Sequence, residues 1–107
     1  MRIKNGKDAL IEVGFIKAYY RIIEVMESNI GSENLIKKET STRRWGLDVL
    51  ERLVRFAKRK YPKLESDIDG ESYWYFNEIS EKHGKVMDNY FEELRNGNKQ
   101  EKTDDCN

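Results

Sequence analysis

The sequence predicts an all-α fold, an antiparallel three-helix bundle, and three observations carry that reading. Apolar residues recur at spacings of three and four through three long segments, the period of one helix face. The only proline is Pro62, so nothing breaks those segments internally. The Asp69-Gly70 and Asn96-Gly97 pairs do not lie between alternating apolar runs, so the hairpin signature is missing.

The first helix is predicted over residues 7–28. Leu10, Val13, Ile16, Tyr20, Ile23 and Met26 form its seam. Ile11, Phe15, Tyr19, Ile22 and Val25 widen the stripe past half the circumference, more than a surface helix needs. Such a helix is expected at the centre of the bundle or in a homodimer interface. Gly14 costs about 1 kcal/mol relative to Ala inside a helix, which predicts a neighbouring backbone packed close against it. Ser28-Asn29-Ile30-Gly31-Ser32 reads as a stop and turn. Ser32 is then a cap for a short extra helical turn, 33–38, in the first connection.

Thr40-Ser41-Thr42 offers the N-cap of a second helix over 43–60. Its seam is Leu47, Leu50, Val54, Ala57 and Tyr61, flanked by Trp45, Val49, Leu53 and Phe56. Pro62 ends it by disfavouring helical backbone at Tyr61, and Lys58-Arg59-Lys60 complements the C-terminal dipole. Ser66, Asp67 and Asp69 are candidate caps for a third helix over 71–95. The third stripe is Phe76, Ile79, His83, Val86, Met87, Tyr90 and Leu94, with Trp74, Tyr75 and Phe91 beside it. Asn96-Gly97 reads as its stop. The organisation is one helical domain, 1–96, followed by a disordered charged tail, 97–107.

Composition narrows the function classes. Hydrophobic and charged residues each make up 37% of the 107 residues, so each helix has one face to bury and leaves the other wet. Cys106 is the single cysteine, which rules out a disulfide framework within one chain. A cytoplasmic location is expected from this. No apolar run is long enough for a membrane span or a signal peptide.

Charge is segregated although the totals cancel at twenty of each sign. Residues 37–63 hold ten basic and three acidic side chains, 10 − 3 = +7. Residues 64–107 hold five basic and twelve acidic, 5 − 12 = −7. A polyanion, a basic partner or a second copy of the chain each suits this arrangement.

Catalytic motifs are sparse. Glu65-x-Asp67-x-Asp69-Gly70 echoes the start of a calcium loop, but Phe76 stands where a bidentate Glu would close it. His83 is the only histidine and sits on an apolar stripe with no second His or Cys to complete a zinc site. Glu81, Asp88 and Glu92 share a face, which reads first as a solvated acidic surface. Nucleophile elbows and phosphate-binding loops are missing from the sequence. The expectation is a protein that is not an enzyme and uses no metal or cofactor.

The functional expectation is a small helical regulator or inhibitor that binds another protein, of the kind carried by phages and other mobile elements. Its predicted contact surface is Tyr73, Trp74, Tyr75, Glu78, Glu81 and Asp88. Consecutive aromatics on a helix point about 100° apart, so Tyr73 or Tyr75 is expected outside the core, where interfaces favour Tyr and Trp. The alternatives are a nucleic-acid binder using Arg43, Arg44, Arg52, Arg55 and Arg59, and a structural homo-oligomer in which the basic and acidic regions meet between subunits. Against the nucleic-acid reading, Asp48 and Glu51 precede Arg52 and Arg55 by four, the spacing of ordinary helix salt pairs.

Overall fold

The computed structural model describes residues 2–106, with the side chains of residues 2–96. The protein is all-α, and its elements are α1 (Gly6–Glu12), α2 (Phe15–Asn29), α3 (Leu35–Lys60), a 3-10 turn (Pro62–Leu64) and α4 (Glu65–Cys106). The helix stop expected at Asn96-Gly97 is not found, because α4 runs through that pair to Cys106; the side chains of the tail expected to be disordered over 97–107 lie outside the described ones.

The first predicted helix is two helices. Gly14 adopts φ +82°, a left-handed conformation that L side chains avoid and glycine accepts, and it divides α1 from α2. The expectation of a backbone packed against Gly14 is not met, because a Cβ there would meet nothing within 4 Å. Positive φ, rather than crowding, is what requires the glycine.

The turn changes which residues are buried. The seam through Leu10, Val13, Ile16 and Tyr20 assumed one continuous register. With the helix broken, α2 buries Phe15, Tyr19, Ile22 and Met26, while Tyr20 is 65% exposed. These four meet Leu50, Val54 and Ala57 of α3 and Ile68 and Ile79 of α4 in one core, which Ala9 and Leu10 of α1 complete. Phe15 lies edge-on to Tyr75 and Phe76, with ring centroids 5.4 and 6.1 Å apart.

Gly6 marks the crossing of α1 over α4. A Cβ at Gly6 would lie 2.4–2.6 Å from the backbone of Asp67 and Ile68. The Gly6 N–H donates to Asp67 Oδ2 at 2.9 Å, and Asn5 Oδ1 accepts from the Asp8 N–H. Two otherwise unsatisfied donors of the α1 N-terminus are thereby paired, one of them by another helix. At the other end of α1, the Glu12 carboxylate accepts from Lys60 Nζ at 2.6 Å and from the Tyr61 hydroxyl. Those two donors hold its carboxyl below the usual carboxylate range, Lys60 contributing most.

α3 starts at Leu35, eight residues before the predicted first residue Arg43. Thr40-Ser41-Thr42 lies inside the helix, and Thr42 Oγ1 donates back to the Lys38 carbonyl at 2.8 Å, a bond that satisfies a hydroxyl within a helix. The separate turn expected over 33–38 is absorbed, with Asn34 at φ 59° leading into α3. The α2 end is tied to this stretch by Asn29, whose Nδ2 donates to Glu39 Oε1 at 2.8 Å and Thr42 Oγ1 at 3.0 Å.

Likewise Ser66, Asp67 and Asp69 are not caps of a helix beginning at Glu71. α4 follows the Pro62–Leu64 turn directly and runs through them. Asp67 reaches α1, and Asp69 takes Lys58 of α3 at 3.0 Å.

Two glycine substitutions separate the two demands on the backbone. Gly14→Ala is expected to lower stability to urea by about 1–2 kcal/mol from left-handed strain alone. Gly6→Ala is expected to cost about 1–3 kcal/mol because a helix backbone must shift. Equal stability of either variant and the native chain would contradict the corresponding contact. A third test is Phe15→Ala, for which about 3–5 kcal/mol is expected at this fully buried site.

Candidate functional site

α4 turns one face inward and one outward. Ile68, Ser72, Ile79 and Val86 are buried, and the residues about half a turn away from them reach solvent. Tyr73 is 68% and Trp74 54% exposed, and Glu81 and Asp88 are exposed further along the same helix. Glu78 is half-buried. Tyr75 faces the other way, with its ring 4.9 Å from Tyr19 and 5.4 Å from Phe15. Of the six predicted contact residues, Tyr73, Trp74, Glu81 and Asp88 are exposed, Glu78 is half-buried, and Tyr75 packs inward against Trp74.

The aromatic surface is wider than α4. Trp74 stacks edge-on against Tyr75 at 4.7 Å and lies 6.4 Å from Tyr19, which in turn contacts Tyr20 at 5.3 Å. Tyr20 and Trp74 thus present large aromatic area on a base of rings already packed together, so little of their side-chain freedom remains to be lost on binding. Acids surround this base. Burial raises the pKa of the Tyr19 and Tyr75 hydroxyls, and the nearby Glu78 and Glu71 carboxylates respectively push the same way. Sequence reasoning missed Tyr20, which it had placed in the apolar seam. The available signal was Gly14, read as a left-handed break rather than as a helical glycine.

The basic residues on α3 are less uniform. Arg52 pairs with Asp48 at 3.0 Å and Arg55 with Glu51 at 2.6 Å, the i,i+4 pairs expected from the sequence. Arg43 is half-buried, and its charge reaches His83. Arg44 and Arg59 are exposed and carry no ion pair among the described residues. Trp45 is half-exposed beside Arg44. The two charged regions hardly neutralise each other within the chain. Lys58 bridges to Glu65 and Asp69, and among the described residues no other basic side chain of 37–63 pairs with an acid of α4.

Of the metal candidates, the Glu65-Asp67-Asp69 sequence is helical from its first residue, with Glu65 and Asp69 both on Lys58 and Asp67 turned to the Gly6 N–H. No cluster of three or more His, Cys, Asp or Glu side chains suited to a metal occurs among the described residues. Nor is any helix among them long and apolar enough to cross a membrane. The chain matches no family model, no curated protein and no solved structure.

His83 is half-buried, its Nδ1 buried without a hydrogen-bond partner among the described residues. Burial, reinforced by Arg43 and opposed by Glu39, holds its pKa below the ordinary histidine value. The unfolded chain therefore binds a proton more readily than the folded one. Stability from this source is complete above about pH 6.5, declines as pH falls, and levels off below the depressed folded value. His83→Gln is expected to flatten the fall in urea midpoint between neutral pH and pH about 5. A fall of the same size in native and variant chains would show that His83 is not its source.

Proposed function

We propose that the chain is a small non-enzymatic regulator that binds another protein through the acidic and aromatic face of α4. The observation that carries this reading is the exposure of Tyr20 and Trp74 over the packed rings of Tyr19 and Tyr75, with the Glu71 and Glu78 carboxylates near those rings and Tyr73 exposed next to Trp74 in the chain. Exposed aromatics on a rigid base are what interface hot spots are made of. A border of carboxylates steers a basic partner and rejects acidic ones. A phage or mobile-element inhibitor is one class of protein that works this way, and a cytoplasmic site of action accords with the lone cysteine.

Trp74→Ala is the primary test, combined with Lys at Glu78, Glu81 and Asp88. Affinity capture from the source cell, with each recovered protein quantified against the native bait, is expected to lose at least about tenfold of the specific partner, a loss of the size that removing one hot spot gives. Undiminished capture by the folded variant would place the contact elsewhere.

A second reading rests on Trp45 beside the unpaired Arg44, a stacking ring next to a phosphate-binding fork. It predicts nucleic-acid binding through Arg43, Arg44, Arg52, Arg55 and Arg59 whose affinity falls steeply with salt. Filter binding of a short mixed-sequence oligonucleotide that Arg44→Ala with Arg59→Ala leaves unchanged would dispose of it.

A further inference from the structure

Two rows of exposed side chains on different helices have matching spacing and opposite charge. On α3, Trp45, Arg52 and Arg59 stand seven residues apart. On α4, Trp74, Glu81 and Asp88 do the same. Seven residues are about 10.5 Å of helix rise, and a heptad row drifts by only about 20° per step. Each row is therefore a nearly straight line of one indole followed by two charges, cationic on α3 and anionic on α4. Both indoles are about half exposed and all four charged residues are exposed.

Intramolecular pairing leaves these charges largely free. Arg52 has only its exposed i,i+4 partner Asp48, a weak pair. Arg59, Glu81 and Asp88 have no ion pair among the described residues. Between Glu81 and Asp88 the helix surface carries Gly84, where a Cβ would meet nothing within 4 Å. A glycine inside a helix costs about 1 kcal/mol relative to Ala, and among the described residues no atom stands within 4 Å of where this one's Cβ would be. It leaves room for another helix to approach more closely than a side chain there would permit.

We propose that the α4 face docks α3 of a second copy of the chain, a helix with an aromatic residue followed by cations at heptad spacing. This rests on the assignment of the α4 face as the docking surface. Laid parallel, the rows set Trp45 against Trp74, Arg52 against Glu81 and Arg59 against Asp88, with the indoles stacked at one end and the charges paired along the seam. The two surfaces are unlike, so the contact is heterologous: it builds a closed ring or an open chain, according to the rotation it imposes. Association of this kind would occupy the face that captures another protein and would set its availability by concentration.

Charge exchange tests this. Sedimentation velocity over a concentration series at low salt is expected to show the native chain growing above monomer mass, and high salt to reverse that growth. Glu81→Lys with Asp88→Lys, and separately Arg52→Glu with Arg59→Glu, are each expected to weaken association at least about tenfold. The four-fold variant, and an equimolar mixture of the two double variants, are expected to recover it, because opposite charges then face each other again. Circular dichroism confirms that each variant is folded. A native chain that stays monomeric throughout overturns the inference, as does association that survives both reversals or that charge exchange fails to restore. Loss of capture by the Trp74 variant alongside a monomeric native chain would leave the α4 face as a docking surface and remove only the second copy as its occupant.

Discussion

The left-handed turn at Gly14 is the constraint on which the rest of the structure depends. Without it, the apolar residues from Leu10 to Met26 would share one helical register and spread over more surface than two neighbouring helices can cover. At φ +82° the chain instead turns between Val13 and Phe15. α1 lies across α4, placing Ala9 and Leu10 over one end of the core, while α2 turns Phe15, Tyr19, Ile22 and Met26 towards α3 and α4. Consequences continue outwards. Because Tyr19 faces inward, Tyr20 faces outward, and the exposed aromatic patch shared by α2 and α4 follows from the same torsion angle.

The ends of the helices are held by polar contacts that join different elements. Asp67 of α4 pairs with the first N–H of α1, and Lys60 and Tyr61 close on Glu12. Asn29 links the end of α2 to Glu39 and Thr42. Glu39 is fully buried, and its second carboxylate oxygen has no hydrogen-bond partner among the described residues. Asn29 satisfies one oxygen, and the Arg43 and Glu39 charges act on His83 in opposite directions at the same junction. Among the described residues, the surface ion pairs lie partly within α2 and α3 and partly between helices, as in Lys60–Glu12 and Lys82–Glu27. Lys58 alone joins the basic stretch to acids of α4 there.

The helical class and most of the core were legible in the sequence because a period of 3.6 leaves a direct trace: Leu50, Val54, Ala57, Ile79 and Val86 all lie where the spacing put them. The i,i+4 pairs Asp48–Arg52 and Glu51–Arg55 were legible for the same reason. Helix boundaries were not. Thr40-Ser41-Thr42 resembles a cap, yet Thr42 bonds back within the helix, and propensity alone does not distinguish the two uses of a hydroxyl. Asp67 looked like a local cap and instead caps a helix sixty-one residues away in sequence, a contact that only tertiary structure creates. Gly14 was the expensive ambiguity: a helical glycine and a left-handed one look alike in one sequence, and the choice moved Tyr20 from the core to the surface. On α4, four consecutive aromatics required some to be exposed, which pointed correctly to Tyr73 but could not fix Tyr75, now seen packed on Tyr19 and Phe15.

The account turns on Trp74 being held at the surface of the free chain and covered when the chain is engaged. Acrylamide quenching of the Trp45→Phe variant, in which Trp74 is the remaining tryptophan, measures this directly. Trp74 fluorescence is expected to be readily quenched in the free chain and shielded once the chain is bound to a captured partner. A Trp74 signal that resists acrylamide in the free chain, or one equally accessible in the bound state, would contradict this.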